Sequence, residues 1–218
     1  MFVKICGITN EDDALLSVAM GADAVGFNFV QGSKRQIAAQ VAYDITRRLP
    51  PEILTVAIFR DELPSRVVDV AHKAGVKAVQ LHGRESAADT REIAKTFRWV
   101  IKAFNARDPN LPRANEYGTD LIMIDGPEPG SGKVFDWSLA GDAPDSLKLI
   151  LAGGLTPENV GAAITEVQPW GVDVATGVEK SPGKKDALAV KRFIENARAH
   201  AAEPYIGDDD LPYDWDFE

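Results

Sequence analysis

The sequence has little of what several large protein classes require. It contains one cysteine and three histidines among 218 residues. A single cysteine cannot form a disulfide within the chain, and disulfides are typical of oxidising compartments, so we expect a cytoplasmic protein. No pair of histidine or cysteine residues has the spacing of zinc ligands, and we therefore predict no metal site.

Long apolar runs and an excess of positive charge are also missing. No apolar run is long enough to cross a bilayer, and the first residues lack a basic segment followed by an apolar stretch, so neither a membrane span nor a signal peptide is predicted. The formal net charge is −9, of which residues 204–218 carry −6. The remaining body, residues 1–203, is only mildly acidic and gives no support for nucleic-acid binding. We interpret residues 204–218 as an acidic, poorly ordered tail.

What the sequence does contain is a regular series of short apolar runs with helix-like stretches between them. Successive runs start 21 to 31 residues apart, which fits one strand, one helix and their loops. The runs are rich in Val, Ile, Leu and Phe, as is typical of parallel strands buried on both faces. They start near Val3, Ala24, Thr55, Ala78, Val100, Leu121, Lys148 and Val172.

Glycines strengthen the count of repeating units. Gly21, Gly75, Gly118 and Gly171 precede every second run, and we expect each to take the left-handed cap that turns a helix into the next strand. Eight units with this internal period favour a closed, single-domain (β/α)8 TIM barrel over an open doubly wound sheet. The connectors after Phe104 and Asp125 are rich in Pro and Gly, so short helices are expected there. Elsewhere we predict helices over Glu11–Met20, Ala38–Arg48, Ser65–Ala74, Ala87–Thr96, Glu158–Glu166 and Asp186–Ala199.

In such a barrel the functional site lies at the carboxyl ends of the strands. Polar residues at those ends are therefore candidates, although each could instead cap a helix or shape a turn. They are Cys6, Asn28, Arg35, Arg60, Gln80, His82, Lys102 and Asp125.

Two glycine-containing turns predict a phosphate site. The seventh run ends in Gly153 and Gly154, whose backbone N–H groups can approach a ligand closely, and Thr156 can cap the following helix. The eighth run ends in Thr176 and Gly177. Adjacent loops after strands seven and eight are the usual phosphate site of this fold, and two ordinary turns are the alternative.

Three other residues keep alternatives open. Cys6 is either a small buried hydrophobe or a reactive thiol. Asp125 follows four apolar residues, so partial burial should raise its pKa and suit a general acid; a loop-bracing role is equally compatible. Lys102 could form a Schiff base if it faced the mouth, or pair with a carboxylate. The loop Gly126–Lys133 departs from the P-loop pattern and is interpreted as a mobile cover over the barrel mouth.

Several motifs carry a resemblance to one family. In chain order they are Lys4-Ile5-Cys6-Gly7-Ile8-Thr9, Gln80-Leu81-His82-Gly83, Gly132-Lys133-Val134-Phe135-Asp136-Trp137, Leu151-Ala152-Gly153-Gly154-Leu155, Gly177-Val178-Glu179 and Gly183-Lys184-Lys185-Asp186. From residue 3 to about residue 198 the chain resembles the phosphoribosylanthranilate isomerases of tryptophan biosynthesis.

This resemblance implies an Amadori rearrangement of an aminoaldose to an aminoketose, with Asp125 as general acid and Cys6 as general base. Arg35 would bind the anthranilate carboxylate, and Gly154, Thr176 and Gly177 would lie in the phosphate site. His82 is also predicted to bind substrate. The partner would be a small phosphoribosyl substrate, without metal, nicotinamide or flavin, and the protein a monomer or homodimer.

The residues also set conditions on this resemblance. Lys34 stands where the family usually has proline, and Ala175-Thr176 where it often has two serines, so a retuned site is expected. The thiol of a free cysteine has a pKa of about 8.5, so the base role calls for a modest depression. Lys4 shares the inward face with Cys6 and is a candidate cause.

Three other activities are weighed against this one. A lyase or synthase, such as an indole-glycerol-phosphate synthase relative, would lean on Lys102 with a glutamate. A histidine-pathway isomerase would have Asp in place of Cys6. A barrel that binds a sugar phosphate without catalysis is the remaining alternative.

Overall fold

Eight parallel strands close into a barrel in the computed structural model, which describes residues 1–126 and 135–201. Each strand pairs with its neighbours in chain order, and β1 closes the ring by pairing with β8. The predicted TIM barrel is confirmed. Each predicted apolar run starts within one residue of the first residue of a strand. The strands are β1 Phe2–Cys6, β2 Ala24–Asn28, β3 Leu54–Phe59, β4 Ala78–Leu81, β5 Trp99–Asn105, β6 Leu121–Asp125, β7 Lys148–Leu151 and β8 Gly171–Val174.

Six α-helices lie outside the barrel in the part of the chain that the structure describes. They are α1 Glu11–Ala19, α2 Ala39–Thr46, α3 Pro64–Ala74, α4 Ala87–Ala94, α5 Val160–Val167 and α6 Ala187–Ala199. The short helices predicted after β5 and β6 are 3-10 segments, Leu111–Tyr117 and Trp137–Asp142. A third 3-10 segment, Thr176–Val178, follows β8, and an antiparallel hairpin then forms from β9 Glu179–Ser181 and β10 Lys184–Lys185.

Two local predictions need correction. Gly21, Gly75 and Gly118 have positive φ as expected, but Gly171 does not, since it is the first residue of β8. The left-handed residue at that helix end is Gln168, with φ +50°. The start of α5 was also placed too early, because Asn159 Oδ1 accepts from Thr156 N (2.7 Å) and holds a turn before the helix begins.

Strand alternation divides the core into two layers. Outward residues such as Val3 and Ile5 pack against the helices. Inward residues such as Phe2, Met123 and Ile150 fill the barrel. Because residues two apart share a face, Phe2, Lys4 and Cys6 form an inward column that rises to the mouth.

Some expectations fall on other parts of the chain. Residues 127–133 of the predicted cover and the predicted acidic tail, 204–218, lie outside the described residues. Among the described helices, none combines the length and apolar content that crossing a bilayer requires.

Candidate active site

A buried ion pair lies directly beneath Cys6. Lys4, two residues earlier on the same face of β1, is fully buried, and its Nζ lies 2.7 Å from Asp173 Oδ1 on β8. The Cys6 thiol is a neighbour of this ammonium, since a Cβ placed at Gly26 would lie close to both groups, and the charge of Lys4 lowers the pKa of Cys6. The lysine therefore links the partly buried thiol on the first strand to a carboxylate on the last.

The space for this contact comes from β2. Gly26 pairs with Cys6 in the barrel register. A Cβ added at Gly26 would lie 3.0 Å from Cys6 Sγ and 3.1 Å from Lys4 Nζ. These distances are tighter than ordinary carbon contacts, so a side chain here would push the thiol and the ammonium from their places.

The charges around Cys6 act in opposite directions on its ionisation. Burial is the largest influence and raises the pKa of the Cys6 thiol above its ordinary value. Lys4 and Lys185 lower that pKa, whereas Asp173 raises it. In this structure the net pKa of Cys6 is raised, so the modest depression expected from the sequence is not found. Burial also lowers the pKa of Lys4, but Asp173 and Cys6 outweigh it and keep Lys4 cationic.

Asp125, at the end of β6, is buried and has a defined partner for each carboxylate oxygen. Oδ1 accepts from the backbone N–H of Gly126 (2.7 Å), and Oδ2 lies 3.1 Å from His82 Nε2. On the other side of the imidazole, His82 Nδ1 lies 2.8 Å from Gln80 Nε2. The structure thus brings His82, predicted to bind substrate, onto the predicted acid.

The loop after β7 lies against Asp125. Gly153 and Gly154 both have positive φ, +86° and +68°. A Cβ at Gly153 would lie 2.5 Å from the backbone N of Gly126 and 2.7 Å from Asp125 Oδ1. Asn159 Nδ2 donates to Gly154 O (2.9 Å) and fixes the turn. Only glycine permits this approach of the predicted phosphate loop to the carboxylate.

The loops after β7 and β8 meet, as the prediction of a joint phosphate site requires. A Cβ at Gly177 would lie 1.9 Å from Leu155 O, so the two backbones are in direct contact. A cavity of about 50 Å³ lies between them. Residues of both loops line it, and so do Asp125 and Asp173. The predicted acid and the predicted phosphate turns therefore share one cavity.

Arg35 is held by the hairpin that follows β8. Its Nε and Nη2 donate to the two oxygens of Glu179 at 2.8 and 2.7 Å, and Nη2 also donates to Thr176 Oγ1 at 3.0 Å. Lys185 Nζ donates to Glu179 (3.1 Å) and to Cys6 O (2.6 Å). This cluster joins the loop after β2, the loop after β8 and the end of β1.

Comparison with known proteins identifies the family. Residues 3–196 match the family model described as N-(5'phosphoribosyl)anthranilate (PRA) isomerase. The chain belongs to the phosphoribosylanthranilate isomerase family. The N-(5'-phosphoribosyl)anthranilate isomerase of Thermotoga maritima is 48% identical over 201 residues, which cover 90% of this chain and 98% of that protein.

Two solved structures of the isomerase family are similar over nearly their whole length. One is phosphoribosylanthranilate isomerase in complex with reduced 1-(o-carboxyphenylamino)-1-deoxyribulose 5-phosphate; its TM-score is 0.80, with 44% identity over 91% of this chain and 99% of that one. The other shows monomers of the dimeric enzyme of Thermotoga maritima, with TM-score 0.81, 43% identity and coverage of 91% and 99%.

The remaining predicted candidates lie away from the cavity of this isomerase-family barrel. Asn28 shapes a turn, since its Oδ1 accepts from Val30 N (2.8 Å). Arg60 is exposed beside Asp61. Lys102 faces outward and is buried against Glu85 (3.0 Å), so the pairing alternative is correct for this lysine. In the described ranges, no group of three or more His, Cys, Asp or Glu residues could hold a metal ion.

Sequence reasoning missed three charged residues that surround Cys6 and Arg35. Asp173 stands between two valines in β8, and this carboxylate in an apolar, inward-facing run was a usable signal. Glu179 and Lys185 belong to two of the motifs that carry the family resemblance, but they lie in polar sequence and no role was predicted for them. Their burial follows only from the hairpin that folds over the barrel mouth.

Proposed function

We propose that this chain converts N-(5'-phosphoribosyl)anthranilate to 1-(2-carboxyphenylamino)-1-deoxyribulose 5-phosphate in L-tryptophan biosynthesis. The observation that carries the proposal is the shared mouth of the barrel. Asp125 and Asp173 line one cavity with Gly154, Thr176 and Gly177, and Asp173 is bound to Lys4, whose charge acts on Cys6. These contacts support a single site for the acid, the thiol and the phosphate turns.

In this proposal Asp125 is the general acid. It donates a proton to the ribose ring oxygen, the C1′–O bond breaks, and the nitrogen lone pair forms a Schiff base at C1′. The resulting carboxylate is stabilised by the N–H of Gly126 on one oxygen and by His82 on the other. Both contacts are made to the carboxylate that remains once the proton has been transferred.

Cys6, as thiolate, is the general base that removes the proton from C2′. The C–H electron pair forms the C1′=C2′ bond while the Schiff-base nitrogen takes back its lone pair, so the substrate's own nitrogen serves as the electron sink. The enolamine then tautomerises to the ketone. Lys4 lowers the pKa of the thiol and so opposes burial, which has the larger effect in the free protein. The scheme uses no metal or redox cofactor, and we expect full turnover in EDTA.

Arg35 binds the anthranilate carboxylate. Glu179 occupies its Nε and Nη2, and Nη1 has no partner among the described residues. A guanidinium held along one edge by a carboxylate presents its free nitrogen in a fixed direction. The phosphate at the other end of the substrate would bind the backbone of Gly154 and Gly177 and the hydroxyl of Thr176.

The test follows the fluorescence of phosphoribosylanthranilate as the purified protein consumes it. We expect wild-type turnover, and a fall in kcat of at least about 100-fold in Cys6→Ala and in Asp125→Asn. Lys73→Met, on the exposed face of α3, is the matched control and should retain the wild-type rate. Turnover by either site variant at the wild-type rate refutes the role given to that residue. A wild-type protein without turnover that still binds the substrate is the non-catalytic barrel.

Assembly and location complete the proposal. Because the Thermotoga maritima relative is described as dimeric, we propose a homodimer, with a monomer as the alternative that light scattering distinguishes. The single cysteine favours a cytoplasmic location, which fractionation of the producing cells would check.

A further inference from the structure

Gln80 is a buried amide that the scheme above does not use. It lies on β4, two residues before His82, so both side chains point into the barrel, with Gln80 one layer lower. Gln80 is 1% exposed. Its Nε2 lies 2.8 Å from His82 Nδ1 and 3.4 Å from the sulfur of Met123, two residues before Asp125 on β6.

The oxygen of the same amide has no hydrogen-bond partner among the described residues. Buried polar atoms are nearly always paired, so an orphan oxygen calls for an explanation. An apolar side chain of similar length would fill this place in the barrel without that cost. The amide therefore faces His82 for a reason other than packing.

The contact determines which nitrogen of His82 carries the proton. An amide Nε2 is only a donor, and at 2.8 Å its partner Nδ1 must accept. A neutral imidazole that accepts at Nδ1 carries its hydrogen on Nε2, and Nε2 faces Asp125 Oδ2 at 3.1 Å. An imidazolium carries an N–H on both ring nitrogens and would set one of them against the Nε2–H group of Gln80.

We propose that Gln80 is a positioning residue that fixes His82 as the neutral Nε2–H tautomer. In this form the imidazole donates to Asp125 and stabilises the carboxylate that remains once Asp125 has given its proton to the substrate. The inference rests on the proposed function for its kinetic consequence, but the tautomer itself is a property of the free protein. His82 changes accordingly from a substrate ligand to the partner of the acid.

The first test reads the tautomer by ¹⁵N NMR of the histidine side chains at neutral pH. The chain has three histidines, and the signals lost in His82→Gln assign the one of interest. We expect a protonated Nε2 and an unprotonated Nδ1 in the wild type. In Gln80→Met both tautomers of His82 should appear. In Gln80→Glu the new carboxylate accepts a hydrogen bond from Nδ1–H, so both ring nitrogens should be protonated. A protonated Nδ1 in the wild type overturns the proposal, as does an unchanged spectrum in Gln80→Met.

The second test is kinetic and separates this inference from the proposed activity. Gln80→Met should lower kcat by roughly 10-fold with little change in KM, because the acid and not substrate binding is affected. Thr90→Val, which removes a buried hydroxyl on α4, is the matched control and should keep the wild-type kcat. If the wild type turns over and Gln80→Met matches it, only the role of Gln80 is refuted. If the wild type does not turn over, the proposed function fails while the NMR result still decides the tautomer.

A third measurement covers a Gln80→Met variant that does not fold. Gln80→Glu keeps the size and shape of the side chain. Because His82 should be protonated in this variant, we expect its rate near neutral pH to be lower than that of the wild type. Other charged or titratable groups face the same barrel mouth from β1 and β8, namely Cys6, Lys4 and Asp173. The Lys102–Glu85 pair lies on the outer side of the barrel wall. The pH–rate profile therefore also contains the titration of Cys6, and the NMR titration of His82 isolates the effect of Gln80. An unshifted His82 titration in Gln80→Glu contradicts the proposal.

Discussion

Cys6 lies beside an ammonium that is paired with a carboxylate, and both charges of this pair act on the pKa of its thiol in addition to burial. Lys4 lowers the pKa of Cys6 while Asp173 raises it, and Asp173 also holds Lys4 in place. The two partners of the pair therefore act on the thiol with opposite signs. Substituting Lys4 and Asp173 one at a time therefore measures the effect of each charge on the pKa of Cys6.

Alkylation of Cys6 by iodoacetamide measures this balance directly, since no other cysteine contributes. Lys4→Met should raise the pKa of the thiol and slow alkylation at pH 7, whereas Asp173→Asn should lower it and speed alkylation. While the pKa lies above 7, the thiolate fraction changes by about tenfold for each unit by which the pKa moves, and the alkylation rate changes in the same direction by a smaller factor, because a thiolate of lower pKa is a weaker nucleophile. Lys73→Met is the control and should alkylate like the wild type. Equal rates in the two pair variants would contradict the electrostatic account.

Arg35 offers a second test at the scale of single residues. Arg35→Lys keeps the positive charge but loses the planar fork that binds Glu179 along one edge and leaves Nη1 free. We expect KM for phosphoribosylanthranilate to rise by about tenfold, a loss of about 1.4 kcal/mol in binding. Arg66→Lys, an exposed arginine paired with Glu62, should leave KM unchanged. An Arg35→Lys enzyme with wild-type KM would exclude the carboxylate-binding role.

At the scale of elements, Glu179 is one of the residues that hold the β9–β10 hairpin on the barrel. Burial alone would raise the pKa of Glu179, but hydrogen bonding from Arg35 and the charge of Lys185 lower it further, and the net pKa is lowered. A carboxyl group whose folded-state pKa is depressed stabilises the fold above its unfolded pKa. That contribution is lost as the pH falls through the folded value.

Glu179→Gln should therefore lower Tm at pH 7, and the difference from wild type should shrink as the pH falls below about 4.5, the ordinary pKa of the group. Thermal unfolding followed by circular dichroism at pH 7 and pH 3 checks both halves. Glu195→Gln, on the exposed face of α6, serves as the reference. A gap in Tm that stays constant with pH would show that the ionisation of Glu179 has no part in fastening the hairpin.

The loops after β3 and β4 are joined to strand β5 by a second buried pair. Lys102 Nζ donates to Glu85 (3.0 Å) and to Gly83 O (2.8 Å), while Glu85 accepts from the backbone of Asp61 and Gly83. These contacts lie on the outer side of the barrel, where they hold loop backbone in place. The lysine that a Schiff-base lyase would need is therefore committed to holding loops together.

Lys102→Met leaves Glu85 charged and buried, so we expect the free energy of unfolding to fall by about 3 kcal/mol with kcat unchanged. Urea denaturation and steady-state kinetics measure the two quantities. Lys95→Met, from an exposed pair on α4, should change stability by less than about 0.5 kcal/mol. Loss of kcat without loss of stability in Lys102→Met would revive the lyase alternative.

At the scale of the whole molecule, the barrel was readable because parallel strands buried on both faces leave uninterrupted apolar runs. The hairpin was not, because Glu179–Lys185 is polar and short, and only its position over the mouth buries it. Their position at the carboxyl ends of predicted strands identified Cys6, Asp125 and His82 as candidate site residues. Lys4 was predicted as a neighbour of Cys6, but its partner Asp173 was not, since the two lie 169 residues apart and no local pattern connects them.

Deleting the chain after residue 203 tests the predicted division into a barrel and a tail. The family model ends at residue 196 and α6 ends at Ala199, so the shortened protein contains every described strand and helix. We expect its Tm and kcat to equal those of the full chain within error, as measured by thermal unfolding and the fluorescence assay. A marked loss of either would assign the tail a part in the fold or the reaction.

The pairing of β1 with β8 has a consequence for how the protein is made. Lys4 is synthesised 169 residues before Asp173, so the pair can form only after seven of the eight strands have been made. Because burial of an unpaired cation is costly, Lys4 favours contact with water until Asp173 is available. Closure of the barrel therefore pairs Lys4 with Asp173 and places this pair beside Cys6 in a single event. A prematurely terminated chain has neither the closed barrel nor the ion pair beside its thiol.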